Sequence, residues 1–183
     1  FLVEGSIRGL TMQYSSKWPA AGQADVEFVL DKTRLYSVRN RSVHAGNQSV
    51  NATIEIANLL DPVLTIDALV TGSLETFGQY GQQSPINQFT GGNLERMTLS
   101  GDATLQLDLD VPLRNARDTT VSALLRNSGG SLAIDGFDAP LTEIFGDVLI
   151  TREAITGESL GARFLGEDLE MRIGLSTEPG LLA

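Results

Sequence analysis

The chain has no cysteine among its 183 residues, a single histidine, and few aromatic side chains, which make up 6% of the sequence. The absence of cysteine excludes disulfides, thiol nucleophiles and cysteine-based metal sites. His44 stands in a polar stretch without a carboxylate at metal-ligand spacing, and one histidine cannot complete a common zinc site alone. We therefore predict that His44 is a solvated loop residue and that the protein holds neither metal nor cofactor.

Sequence signatures of catalysis are missing as well. Neither a Gly-x-Ser-x-Gly nucleophile motif nor a glycine-rich phosphate loop occurs, and a serine nucleophile would need His44 as its base. Acidic residues are plentiful, so paired carboxylates of the glycosidase type remain an alternative. However, Asp102, Asp108 and Asp110 lie at even-numbered positions of one alternating segment, as a solvated strand face requires. We predict that the protein is not an enzyme.

The sequence also lacks long apolar runs and an excess of positive charge. No stretch approaches the roughly 18 apolar residues of a membrane-spanning helix, and the chain contains no basic-then-apolar signal segment. We expect one domain over residues 1–183, a segment of a longer polypeptide whose anchoring element lies outside it. The net charge of −10 disfavours nucleic acid as a partner, because phosphates are bound by clusters of Lys and Arg.

What the sequence does contain is a regular alternation of apolar and polar side chains, sustained from Met97 to Val111. Successive side chains of a β-strand point to opposite faces, whereas a helix would spread these leucines over both of its faces. The alternation therefore predicts one strand of about 50 Å. Its aliphatic face favours a binding or conduit surface over a catalytic pocket.

The same pattern predicts a chain made almost entirely of strands that are joined by short turns. Short connections favour antiparallel hairpins over parallel crossovers. Short helices are predicted at Ser73–Gln79, after Ser84, and at Pro140–Phe145. Further strands are predicted at Val3–Met12, Ala24–Leu30, Leu35–Val38, Val50–Ile56, Leu64–Val70, Thr119–Leu125, Ser131–Ile134, Asp147–Thr151, Ile155–Phe164 and Leu169–Leu175.

The apolar face of each strand has to be covered, and the residues leave three solutions open. A second sheet would give a β-sandwich, for example a structural or adhesive module that binds protein or glycan at a bacterial surface. Closure would give a barrel, although the aromatic girdles of an outer-membrane barrel are missing. The third solution is an open, curved sheet covered by lipid acyl chains, which gains about 0.8 kcal/mol per buried methylene.

Three short motifs occur in a fixed order along the chain. The first is Lys17-Trp18-Pro19-Ala20 followed by Ala24-Asp25-Val26-Glu27-Phe28, and the second is Val111-Pro112-Leu113 at the end of the long alternating segment. The third is the pair of segments 145–150 and 160–166, after which Glu167 and Asp168 stand where a proline is expected. Together these motifs resemble YhdP-type members of the AsmA-like envelope protein family, which is related to TamB and to eukaryotic bridge-like lipid carriers.

The resemblance implies a mainly β fold, in which a long, antiparallel, curved sheet forms an open groove with one or two short helices. It implies a Gram-negative periplasmic protein, anchored in the inner membrane from outside this chain, that moves phospholipid toward the outer membrane. Phospholipid acyl chains and neighbouring segments of the same polypeptide would be its partners. The acyl-chain-facing residues that it implies are Met97, Leu99, Leu105, Leu107, Leu109, Val111, Val26, Phe28, Leu30, Ile54, Ile56, Val148, Ile150, Met171 and Ile173.

Overall fold

The computed structural model describes residues 1–12, 19, 21–39, 43–45, 48–84, 86–90 and 92–176. They form one antiparallel sheet of twelve strands and two short helices. The strands are β1 (Leu2–Met12), β2 (Ala21–Asp31), β3 (Arg34–Arg39), β4 (Val43–Ala45), β5 (Gln48–Ile56), β6 (Val63–Ser73), β7 (Met97–Ser100), β8 (Asp102–Pro112), β9 (Thr120–Ile134), β10 (Leu141–Thr151), β11 (Ala154–Phe164) and β12 (Glu167–Ser176). The helices are α1 (Leu74–Gln82) and α2 (Ile86–Phe89), and 3₁₀ turns lie at Asn93–Arg96 and Ala116–Asp118.

The strands follow one another across the sheet nearly in chain order, from β1 at one edge to β12 at the other. The order is β1-β2-β3-β5-β6-β8-β9-β10-β11-β12, while β4 pairs with β5 and β7 pairs with β9. Within the described part of the chain no pairing joins β1 to β12, so the sheet is not closed into a barrel. The prediction of a long antiparallel sheet with one or two short helices is confirmed.

The register between the strands separates two faces of the sheet. Ile66 pairs with Leu109, and Asp67, the next residue, pairs with Asp108. Paired residues share a face and consecutive residues alternate. We call the side that carries Ile66 and Leu109 the apolar face, and the side that carries Asp67 and Asp108 the polar face. The alternation in the sequence is therefore converted into a two-sided sheet.

The main core cluster lies on the apolar face and comes from neighbouring strands. Its buried members are in β6 and β8, and the half-buried residues around them are in β5, β6, β8, β9 and α1. Leu109 and Val111 are only 6% and 5% exposed, although no second sheet lies over them among the described residues. We infer that the sheet curls around this face, so that adjacent side chains shield one another.

The burial of the described side chains agrees with a single layer. No large side chain among the described residues is less than 2% exposed. The sealed interior of a β-sandwich would contain several such side chains. The described residues therefore do not form the two packed sheets of that alternative.

Irregularities of strand pairing lie next to one another across the sheet, at the junction of β7 and β8 and in β9, β10 and β11. Gly101 separates β7 from β8, and an extra residue near Gly129 interrupts the pairing of β9 with β10. Further extra residues lie at Glu143 in β10 and at 158–159 in β11. Because bulges bend a strand and increase its twist, these irregularities mark a bend across the sheet. It separates the main part of the sheet from a smaller end that contains β7.

Two predicted strand boundaries and one predicted helix differ from the structure. The predicted strand from Met97 to Val111 is divided at Gly101, whose φ is 110°. The segments 119–125 and 131–134 belong to one continuous strand, β9. The helix predicted at Pro140–Phe145 is wrong, because these residues enter β10 and pair with β9 and β11.

The helix predicted at Ser73–Gln79 is confirmed as α1, with Ser73 as its N-cap. His44 lies in the short strand β4 and not in a loop. Lys17, Trp18 and Ala20 of the first motif lie outside the described residues. In the described part of the chain no helix is long and apolar enough to cross a membrane.

Candidate functional site

The candidate site is the apolar face, and its centre lies on β5, β6 and β8. Ile56, Leu109 and Val111 are buried there, and Ile54, Leu105 and Leu107 are half-buried. The register brings them together because β6 pairs with β5 on one side and with β8 on the other. These predicted residues therefore form one continuous aliphatic surface.

One flank of this face is formed by β1 and β2. Val26, Phe28 and Leu30 are half-buried on β2 and pair with residues of the edge strand β1. The ring of Phe28 lies over Gly5, where a Cβ atom would meet it at 2.5 Å. Further toward the edge, Val3 and Ile7 remain 45% and 44% exposed.

The other flank is formed by β10, β11 and β12. Val148 and Ile150 are half-buried on β10, and Met171 is half-buried on β12. Ile173 on β12 is 36% exposed. The apolar face is thus covered most at its centre, and it opens toward both edges of the sheet.

Met97 and Leu99 lie at one end of the face, in β7. Both are half-buried, and the side chain of Leu99 approaches Gly78 of α1, where a Cβ atom would meet its Cδ1 at 3.0 Å. Phe77 of the same helix packs against the core cluster of the apolar face. The helix α1 therefore lies on this face, next to β7.

Several residues of the apolar face were not predicted as site residues. On β9 they are Val121, Ala123 and Leu125, which pair with predicted residues of β8 and β10. Leu124 lies between them on the polar face, so β9 lacks a clean alternation. Only the register of strand pairing, which the sequence does not reveal, places these residues on the apolar face.

The apolar face also includes part of β11, for a different reason. Ile155 pairs with Ile150, whereas Leu160 and Ala162 pair with Met171 and Leu169 of β12. The extra residue at 158–159 moves the apolar positions of β11 from odd to even numbers. A bulge therefore hides this strand from a search at a strict period of two.

The polar face is held by hydrogen bonds and exposed ion pairs. Thr65 Oγ1 donates to Asp110 at 2.8 Å, and Arg34 Nε and Nη2 donate to the Glu55 carboxylate at 2.7 and 3.0 Å. The hydrogen bond from Arg34 lowers the pKa of Glu55 below its usual value, with a smaller contribution from the positive charge. This pair links β3 to β5, whose register contains only two paired positions. It thereby supports the continuity of the apolar face.

Carboxylates of the polar face do not gather into a metal site. Asp102, Asp108 and Asp110 are exposed, as the alternation predicts. In the ranges that the structure describes, no three His, Asp or Glu side chains come close enough together to hold a metal ion. What distinguishes this site is its open, aliphatic, one-layered geometry.

Such a geometry defines a β-rich protein whose apolar face opens toward both edges of a single sheet, and the comparisons with known proteins identify its family. A family model described as "YhdP protein" matches residues 1–180. The chain belongs to the YhdP protein family.

A curated relative is the intermembrane phospholipid transporter YhdP of Escherichia coli strain K12. It is 26% identical to this chain over 178 residues, which cover 97% of the chain. The chain spans only 14% of the length of that relative. No solved structure matches the chain.

Proposed function

We propose that this chain is one segment of a longer lipid-transfer groove, and that its apolar face shields phospholipid acyl chains. The observation that carries this proposal is a single open sheet whose aliphatic face has no second layer over it in the described part of the chain. Aliphatic side chains without directional polar partners suit a fluid ligand of variable shape. The family and the transporter name of the relative support the same substrate class.

The mechanism is passive shielding. Acyl chains leave the bilayer and contact the apolar face, while the polar face keeps the segment hydrated. Exposing a methylene to water costs about 0.8 kcal/mol, and contact with the apolar face offsets this cost for an acyl chain that leaves the bilayer. The direction of movement comes from outside this segment.

The proposal extends to the place of the segment in the whole protein. The segment lies in the periplasm of a Gram-negative cell, between further segments of the same polypeptide that continue the groove. An anchor outside this chain holds the protein in the inner membrane. The partial coverage of the relative supports such an arrangement.

Purification without detergent, followed by native mass spectrometry, tests the proposal. We expect bound phospholipid on the wild-type chain and on Gln106→Asp, which changes an exposed residue of the polar face. Leu107→Asp changes the next residue, on the apolar face, and should abolish binding because it buries a charge against acyl chains. Absence of lipid from the wild-type chain, also after incubation with phosphatidylethanolamine vesicles, would overturn the proposal.

A second pair of variants distinguishes loss of the lipid-binding surface from unfolding, which Leu107→Asp alone does not. Ile173→Asp alters a position of the apolar face on β12 that is 36% exposed, where we expect a charge to disturb the fold less than at half-buried Leu107. Arg172→Asp is its control, because Arg172 is exposed on the polar face of the same strand. We expect a loss of retained lipid only for Ile173→Asp, with unchanged circular dichroism for both variants. Equal retention by the two would contradict the assignment of the faces.

A further inference from the structure

Several turns between neighbouring strands meet at one end of the sheet, which we call the turn end. It comprises residues 32–33, 57–62, 113–119 and 152–153, together with Phe1 beside β1. Backbone hydrogen bonds link these turns to one another. The amides of Lys32, Leu59 and Leu113 donate to the carbonyls of Phe1, Thr33 and Pro62 at 3.3, 2.7 and 2.9 Å. The turn end is therefore a connected strip and not a set of separate loops.

Two arginine side chains complete the links of this strip. Arg114 Nη2 donates to the carbonyl of Leu60, and Arg152 Nη1 donates to the carbonyl of Arg117 at 2.7 Å. Arg114 also lies 3.9 Å from the exposed carboxylate of Asp61. A guanidinium group has five N–H donors, so each arginine keeps donors for a ligand after these contacts are made. Side chains that are already held in place lose less entropy when they bind one.

The charge of the turn end differs from that of the whole chain. Its turns contain four cationic and three anionic side chains, whereas the chain has 13 basic and 23 acidic residues. The cations are Lys32, Arg114, Arg117 and Arg152, and the anions are Asp61, Asp118 and Glu153. In the part of the chain that the structure describes, no hydrogen bond or ion pair holds the Arg117 side chain. An anion would therefore be attracted to this end of an otherwise acidic molecule.

The apolar face reaches the turn end. Leu113 continues the apolar positions of β8 and is 50% exposed, whereas Val111, two residues before it, is only 5% exposed. On β10 the last residue of the apolar face is Ile150, and Arg152 follows it by two positions. Aliphatic side chains and cations thus succeed each other along the strands. A phospholipid presents its acyl chain and its phosphate in the same succession.

We propose that the turn end binds the phosphate group of a lipid whose acyl chains lie on the apolar face, through Arg114, Arg117 and Arg152. This inference rests on the proposed function and adds a headgroup site to it. Guanidinium groups bind phosphate oxygens through paired, charge-assisted hydrogen bonds. The apolar face accepts any acyl chain, and the turn end favours those that carry a phosphate.

Two lipids with identical, labelled acyl chains test this inference. Phosphatidylglycerol carries the phosphate and diacylglycerol lacks it. Each is offered separately from a cyclodextrin complex, so that no other phospholipid competes. We expect the wild-type chain to retain more phosphatidylglycerol than diacylglycerol. Arg117→Gln should lower retention of phosphatidylglycerol about two- to fivefold, as expected for one exposed charge pair, and leave retention of diacylglycerol unchanged.

A double variant and a matched control separate the site from net charge. Arg114→Gln combined with Arg152→Gln should lower phosphatidylglycerol retention further than Arg117→Gln. Arg126→Gln combined with Arg172→Gln removes the same number of charges from the polar face and should leave both lipids unaffected.

The outcomes distinguish the headgroup site from the proposed function. Equal retention of the two lipids by the wild-type chain would overturn the headgroup site and leave the proposed function intact. An equal loss of phosphatidylglycerol in the control variant would also overturn the site, as would a parallel loss of diacylglycerol in Arg117→Gln, which indicates a structural role. Absence of both lipids from the wild-type chain would overturn the proposed function and the headgroup site with it.

Inorganic phosphate is the probe for a free ligand of the same chemistry. It is added to the complex with phosphatidylglycerol and compared with chloride at equal ionic strength. We expect no greater loss of lipid than chloride causes, because the bound acyl chains hold the headgroup at a high local concentration. A greater loss with inorganic phosphate would assign the turn end to free phosphate and overturn its assignment to a lipid headgroup.

Discussion

Asp67 and Asp108 lie directly opposite each other on the polar face, on the paired strands β6 and β8. Side chains in such positions have Cβ atoms about 5 Å apart, and like charges there destabilise the sheet. On its other side Asp108 pairs with Ser122 of β9, which supplies no positive charge. The polar face thus contains one unfavourable pair of like charges.

We predict that Asp108→Thr raises the free energy of unfolding by about 0.2–1 kcal/mol, because it removes the repulsion from Asp67. Urea unfolding at low salt measures the change, and added salt should reduce it because these charges are exposed. Asp102→Thr is the matched control on the same strand, since Asp102 faces the uncharged Ser73. An equal gain in both variants would mean that strand propensity, and not charge, is the cause.

At the scale of secondary-structure elements, alternation predicted most strands because one face of the sheet is mostly apolar. Prediction failed where a glycine or a bulge interrupts the strand. Glu143 has a φ of 49°, which no helix interior allows, and the pairing of β10 on both sides overrides the helical signal that follows Pro140. Local sequence cannot encode such pairing, since the partner strands are distant in the chain.

Gly101 offers a test of the bend across the sheet. Its φ of 110° is unfavourable for other residues, and a Cβ atom would lie 2.7 Å from the Cα of Gly130. Gly129 has a similar φ of 105°, but a Cβ atom added there would meet nothing within 4 Å. The two glycines therefore separate backbone strain from steric contact.

We predict that Gly129→Ala lowers the free energy of unfolding by about 1–3 kcal/mol through backbone strain alone. Gly101→Ala should lower it further, because the added methyl group also meets the backbone of β9. Urea unfolding of both variants measures the difference. Equal losses of unfolding free energy in the two variants would show that β9 moves aside easily and that the bend is readily deformed.

At the scale of the whole molecule, the sheet ends in two edge strands, β1 and β12. Within the part that the structure describes, each of them is paired on one side only. Both carry exposed apolar side chains, for example Ile7 on β1 and Leu169 on β12. Open edges of this kind are templates for pairing with another strand. Because each copy has two such edges, association between copies can continue beyond a dimer.

We predict that the isolated chain forms a concentration-dependent series of oligomers in sedimentation velocity, and not a single dimer. Ile7→Lys should suppress the series, because a charged side chain on an edge strand disfavours further pairing. Val38→Lys is the control, since Val38 is exposed on β3, an inner strand of the sheet. A monomer at all concentrations would contradict the prediction.

The sequence alone determined the strand content and the composition of the two faces, because alternation at a period of two is a local property of the chain. It also placed α1 after Ser73, where a local capping residue begins the helix. Only the tertiary structure decided how the aliphatic residues are covered, since closure and layering depend on strand order and register. Sandwich, barrel and open sheet share the same local pattern. The register also brought β9 and β11 into the apolar face, and the tertiary structure packed Phe77 against the core cluster, which no local pattern encodes.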